Sequence, residues 1–242
     1  GQWRGGANIY LAKIWKPLGW IWAVSCCFGM GIGCGVHTGA ITSSVATFGV
    51  QPMITTIICC VIIIAVLLGG LGALVKVTDK LVPTMAFIYM AAGATLIILN
   101  IQNFVPAFVS IFTNAFTGTA ATGGFAGAAL SATIKNGCAR GVYSNDGGNG
   151  SASILHAQAN TNEPVKQGMF GIFEVFTDTI VICTLTALVI LCSQVPVGYG
   201  QAAGAELTIQ GFISVYGNWV SVFTAVAMCC FAFSTILGWG LY

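Results

Sequence analysis

Residues 140–151 read RGVYSNDGGNGS, from Arg140 to Ser151, a polar and glycine-rich run inside a chain that is otherwise overwhelmingly apolar. Upstream, residues 125–139 are small-residue helix material. Downstream, residues 152–159 resume a small, helix-compatible pattern that Asn160-Thr161-Asn162-Glu163-Pro164 ends. Two readings follow from the lengths. If residues 117–139 make one complete crossing of about 23 residues, the run is an ordinary hydrated loop. If residues 125–141 and 151–159 are two half-helices, each too short to span alone, together they make one interrupted crossing. In that case the free backbone groups at the interruption are where a small polar solute would be held. Hydropathy does not choose between the two.

The surrounding composition fixes the class. With 57% hydrophobic and 6% charged residues over 242 positions, against roughly 25% charged in a typical soluble domain, the chain reads as an all-α polytopic membrane protein embedded in a lipid bilayer. A net charge of +2 with scattered basic residues excludes a nucleic-acid surface. Eight of the ten cysteines (Cys26, Cys27, Cys59, Cys60, Cys183, Cys192, Cys229 and Cys230) lie in apolar runs, so they read as small packing residues. The adjacent pairs lack metal-knuckle spacing. GMGIGCGVHTG at residues 29–39 fits neither G-x-G-x-x-G nor a Walker loop, which excludes phosphate binding there.

Hydrophobic runs predict spans at about residues 18–48, 53–71, 81–99, 123–159 (the broken helix), 167–193 and 219–242, forming a single bundle. Gly29, Gly31, Gly33, Gly35 and Gly39 suit close helix approach in the first of these. Pro83 falls in the first turn of the third, where a missing amide costs little. Residues 100–122 read as an interfacial loop with a short helix, and residues 194–218 as an outer loop. Counted this way, Arg4, Lys13, Lys16, Lys76, Lys80 and Lys166 fall on one face, which is then cytoplasmic. A start at Gly1 rather than Met, and an end at Tyr242 inside an apolar run, predict a fragment of a longer chain.

RGVYSNDGGNGSASILHAQANTNEPVKQG resembles the signature of the alanine/glycine:cation symporters, RG-x-FSNEAG-x-GSAP followed by an alanine-rich helix and Pro-x-x-Gln. FTDTIVICTLTALVIL at residues 176–191 and FAFSTILGW at residues 231–239 match further motifs of that family. RGGANIYLAKI and GIGCGVHTGAI are similar to its GGPMYYIEK and GIGNMVQANSI. The resemblance implies a LeuT-type inverted-repeat transporter fold, of which this chain would hold core helices three to eight. The first two core helices, with the family's GTGN motif, and the last two would lie outside it.

By that resemblance residues 140–148 become the unwound centre of the sixth core helix, with Gly141, Val142, Tyr143 and Ser144 as substrate contacts. His37 stands where the family has a substrate-binding glutamine, and Cys34 and Gly39 replace asparagines. Asp146, Gly147 and Asn149 depart from the family's glutamate, alanine and usual apolar residue. Ser234 and Thr235 match a Ser-Thr pair whose hydroxyls suit sodium, and Trp239 and Thr235 match substrate-pocket positions. Against this stands back-bonding of the two hydroxyls to the preceding turn.

Asp178, a carboxylate inside a span, reads as a coupling group or as a structural acid partnered by Arg140 or Lys135. Glu174, one turn earlier, reads as a partner for a lysine near the interface. The implied function is sodium-coupled import of a small neutral amino acid, alanine or glycine, across the cytoplasmic membrane. No cofactor is involved, and the sodium ion is cargo. The alternatives are a proton-coupled transporter titrating Asp178 and His37, or a truncated remnant that does not transport. An intramembrane hydrolase built on Ser151 and His156 fails on spacing, since five residues place them poorly on one helix face.

Overall fold

A computed structural model describes residues 5–116, 126–146, 148–157, 159–196 and 204–240. Arg4, Gly147, Gly198, Gly200, Tyr242 and the first residues of the expected 123–159 span lie outside that set. The described residues are helical, with no strand among them. They form α1 (Ala7–Ile14), α2 (Lys16–Ala46), α3 (Pro52–Leu68), α4 (Gly70–Leu99), α5 (Ile101–Phe116), α6 (Ala126–Ser144), α7 (Ala152–His156) and α8 (Pro164–Val175). A π-helical segment, Phe176–Cys183, continues α8 into α9 (Thr184–Cys192), and α10 (Ala205–Tyr216) and α11 (Val220–Trp239) follow.

Proline starts two of these helices. Pro52 and Pro164 open α3 and α8, where the absent N–H would have had no intrahelical acceptor. Four helical stretches among the described residues are long and apolar enough to cross a membrane: Lys16–Ala46, Lys76–Leu99, Pro164–Cys192 and Val220–Trp239. At 17 residues, α3 reaches about 25 Å, roughly a turn short of a ~30 Å hydrocarbon core.

Two sequence expectations are corrected and one is extended. The third span was expected to start near Leu81, but α4 runs unbroken from Gly70, so Pro83 sits mid-helix. Nothing in Lys76-Val77-Thr78-Asp79-Lys80 stops a helix, and the Thr84 hydroxyl donates to the Lys80 carbonyl at 2.7 Å beside the gap. The short helix expected within residues 100–122 is the 16-residue α5, on which Phe104, Phe108 and Phe112 line up at i, i+4, i+8 with ring centroids 6.1 and 5.1 Å apart. The expected outer loop contains α10, which buries Thr208, Ile209, Gly211 and Phe212.

The chain forms two compact units. The first comprises Gly1–Cys26 with Ile101–Leu188, and the second Cys27–Asn100 with Val189–Tyr242. In the second unit, Ile41, Ala232 and Ile236 make a buried cluster flanked by Cys34, Val45, Cys59, Ile63, Cys229 and Phe233. Cysteines therefore pack as small apolar residues here, and the described cysteines are free thiols. α4, α10 and α11 meet at Tyr89, whose ring lies 5.8 Å from Phe212 and 5.5 Å, edge-on, from Phe231.

The Tyr216 hydroxyl donates to the Ala92 carbonyl at 2.9 Å and anchors the end of α10 on α4. Burial pushes this phenol above its usual range, while a hydrogen bond with Thr95 pulls it down. Tyr216→Phe should lower the unfolding free energy by about 1 kcal/mol, the usual net worth of one such hydrogen bond. Thermal unfolding of the detergent-solubilised protein would read this as a lower Tm, and an unchanged Tm would remove the anchor.

Candidate substrate and ion site

α6 runs about one turn further into the glycine-rich run than expected. Gly141, Val142, Tyr143 and Ser144 are the last helical residues of α6, and the break begins at Asn145. Alanine-rich material leads up to them, and an isolated Gly141 costs a helix only about 1 kcal/mol, so helix geometry persists to Ser144. The groups this arrangement frees are the carbonyls of a last turn rather than unwound amides. Asn145 partly caps them, its backbone N–H and side-chain amide reaching the Gly141 carbonyl at 3.4 and 3.0 Å.

Beyond Asn145 the backbone turns through positive φ at Asp146 (54°), Gly148 (80°) and Gly150 (78°), a region L-residues other than Asn, Asp and Gly seldom enter. Glycine at position 150 is also a packing requirement. A Cβ there would lie 2.7 Å from Ala7 Cβ and 3.2 Å from the Tyr10 hydroxyl. α7 then rests on the N-terminal residues, with Gly5 against Ala157 and Gly6 against Ile154.

Two side-chain rungs tie the end of α6 to the π-helical segment. The Ser144 hydroxyl donates to Asp178 Oδ2 at 2.5 Å, and the Thr179 hydroxyl donates to Asn145 Oδ1 at 2.7 Å. An O–H···O contact of 2.5–2.7 Å is the range of a charge-assisted bond to a carboxylate. Asp178 is thus partnered by Ser144, not by Arg140 or Lys135 as the sequence suggested. A π-helical turn inside an α-helix, often found at functional positions, lets consecutive residues 178 and 179 both meet α6. Cys183 Sγ lies 3.7 Å from the Ser144 hydroxyl in the same cluster.

Glu174 finds no lysine. Its Oε2 lies 3.2 Å from His156 Nε2, and Gln167 Nε2 lies 2.9 Å from His156 Nδ1, so α7 is pinned to α8. Sequence reasoning missed this trio; an acid and a glutamine seven residues apart on one helix face were the available signal. Ser151 turns the other way and donates to Asp146 Oδ2 at 2.9 Å. The serine and histidine of the hydrolase reading therefore have different partners.

In the second unit the structure brings His37 and Trp239 together, ring centroids 5.0 Å apart and nearly perpendicular. Gly33, one turn before His37, lies directly under the indole: a Cβ there would be 2.2 Å from Trp239 Cζ3. Of the five glycines expected to allow close approach, Gly29, Gly31, Gly35 and Gly39 meet no described atom within 4 Å, and Gly33 alone among them makes such a contact. The Ser234 and Thr235 hydroxyls both donate to the Phe231 carbonyl, at 2.8 and 3.0 Å. Back-bonding uses the protons and leaves oxygen lone pairs, the kind of hard donor a sodium ion takes. Among the described residues no three His, Cys, Asp or Glu side chains gather as a transition-metal site would need.

Four helices among the described residues, each long and apolar enough to cross a bilayer, define a multi-pass α-helical membrane protein. The model of the sodium:alanine symporter family matches residues 1–242, and the chain belongs to that family. It is 38% identical to an uncharacterized transporter, YflA, of Bacillus subtilis over 98% of this chain and 51% of that one. It is 36% identical to the sodium/alanine symporter AgcS of Methanococcus maripaludis, over 100% of this chain and 54% of the relative. A probable sodium/glutamine symporter, GlnT, of Bacillus subtilis is 33% identical over 97% of this chain and 49% of its own. The chain spans about half the length of these curated relatives.

Gly33→Ala should force the Trp239 ring off its seat, because the indole has no room to share with a methyl group. A cost of about 1–3 kcal/mol is typical of such overpacking. Thermal unfolding in detergent would show it, and a Tm equal to the parent's would mean that the ring does not lie on Gly33.

Proposed function

We propose that the chain is the central part of a secondary transporter that couples sodium entry to import of a small neutral amino acid, alanine or glycine, by alternating access. The observation that carries the reading is the interrupted helix at residues 145–151, set inside a family match that runs the length of the chain. The reading adopts the LeuT-type inverted repeat. α6 and α7 become the two halves of the sixth core helix, α8 to α9 the seventh, and α11 the eighth. The basic residues Lys13, Lys16, Lys76, Lys80 and Lys166 then face the cytoplasm.

The chemistry follows from helix ends. The last carbonyls of α6 carry the negative end of the helix dipole, which suits an ammonium group. Gly141, Val142, Tyr143 and Ser144 supply this part of the contact, with Tyr143 36% exposed at its rim. Within the second unit, the reading assigns substrate contacts to His37, Thr235 and Trp239, which offer imidazole, hydroxyl and indole groups. The Ser234 and Thr235 oxygens serve as sodium ligands. An imidazole in place of the family's glutamine offers one donor and one acceptor when neutral, as the amide does, and gains a charge when protonated. Relatives named for alanine and for glutamine both fall in the family, so residues such as His37 are where substrate choice would be set.

A second reading has one specific support. Asp178 is an acid inside a candidate span, held by the Ser144 hydroxyl, and an intramembrane acid is a candidate coupling group. Uptake of labelled alanine by cells expressing the full-length parent separates the two. Replacing sodium with choline at fixed pH should abolish uptake, whereas sodium-independent uptake that follows the proton gradient would overturn sodium coupling. Tyr143→Ala should reduce uptake at least ~100-fold with expression unchanged, since removing an aromatic anchor from a binding site costs about 3 kcal/mol or more. Undiminished uptake would sink the assignment of α6.

A further inference from the structure

The turn that ends α6 is closed by a residue outside the substrate set. Asp146 adopts φ 54°, and its carboxylate reaches forward across the turn. Oδ1 accepts from the Asn149 side-chain amide at 3.2 Å and Oδ2 from the Ser151 hydroxyl at 2.9 Å. Its main-chain carbonyl accepts from the Asn149 N–H at 3.4 Å, and its own N–H points back to the Tyr143 carbonyl at 3.4 Å. Ser151, the far end of the clasp, is completely buried and immediately precedes α7.

The clasp is also held from outside. Trp22 Nε1 of α2 donates to the Asn149 carbonyl at 2.8 Å. Gly150, between Asn149 and Ser151, is pressed against Ala7 and Tyr10 of α1. One carboxylate thus links the last turn of α6, the start of α7 and a turn seated on the first two helices.

We propose that Asp146 is a positioning residue: its carboxylate, bridging Asn149 and Ser151, fixes where α6 stops and α7 starts, and so holds the last-turn carbonyls of α6 in place for the substrate. Asp146 acts through the backbone and does not touch the substrate. This rests on the transport reading for its effect on uptake, but the clasp itself does not.

The test uses the full-length transporter with four variants: Asp146→Gly, Asp146→Asn, Ser151→Ala, and Asp146→Gly combined with Ser151→Ala. Glycine keeps the positive φ without strain and removes the carboxylate that makes the clasp. Asparagine tolerates the same backbone and still accepts from Ser151, while Asn149 can flip its amide to keep the second bond. Hydrogen exchange of amides 145–152 in detergent reads the clasp directly. Asp146→Gly and Ser151→Ala should each speed exchange about tenfold, corresponding to about 1.4 kcal/mol. The double variant should do no more than either alone, and Asp146→Asn should stay within about twofold of the parent.

In alanine uptake the same three clasp-breaking variants should raise KM about tenfold with Vmax within about twofold, and Asp146→Asn should restore the parent KM. Unchanged exchange, additive single effects, or an Asp146→Asn variant as impaired as Asp146→Gly would overturn the proposal, the last because it would show that the charge itself is needed. If the parent transports no alanine, the functional reading fails, and the exchange data still decide the clasp.

Discussion

The last carbonyls of a helix have no partner within it and must find one elsewhere. At the end of α6 the chain meets this demand with its own side chains. Asn145 folds back on Gly141, Ser144 and Asn145 engage Asp178 and Thr179, and Asp146 reaches across to Ser151. The first unit is arranged around these bonds. The π-helical turn presents residues 178 and 179 together, Gly5 and Gly6 just before α1 make room where α7 rests, and Trp22 donates to the turn.

Hydroxyl groups show the same division of labour along the chain. Within the long apolar helices Ser and Thr satisfy themselves on carbonyls three or four residues back, as Thr38, Ser44, Thr95, Thr224, Ser234 and Thr235 do. Around the break, Ser144, Ser151 and Thr179 donate to side chains instead. A hydroxyl that leaves its own helix to bond a side chain elsewhere fixes a tertiary distance, whereas a back-bonded one only quiets a polar group. In the second unit the fixing is done by size: the largest side chain, Trp239, over the smallest residue, Gly33, with His37 at the ring's edge.

Much of this was legible beforehand because it depends on composition and on residue type at a position. The low charge content gave the class, the order of motifs gave the family, and His37 and Trp239 were named separately and prove to be in contact. What escaped was set by context. The end of α6 lies at Ser144 rather than at Gly141, since helix persistence beyond Gly141 depends on the partners Asn145 and Asp178 provide. Pro83 was placed in a first turn because Lys76 and Lys80 looked like a loop, but charged residues continue a helix well when nothing after them breaks it. α10 was read as loop because glycines surround it, although Thr208, Ile209, Gly211 and Phe212 fall on one helical face. The charge of Asp178 points to a cationic partner, whereas the hydroxyl it takes is neutral and only the fold places it.

The π-helical turn at Phe176–Cys183 has an evolutionary corollary. Such a turn is an α-helix carrying one residue more than its register needs. Loss of a single residue between Phe176 and Asp178 would restore regular winding and rotate the helix face by about 100°. Asp178 and Thr179 would then swing away from Ser144 and Asn145 together, undoing both rungs at one stroke, while the helix itself would remain intact and as apolar as before. This segment therefore tolerates substitution far better than it tolerates a change of length. Homologous chains that keep the break would be expected to align through it without a gap.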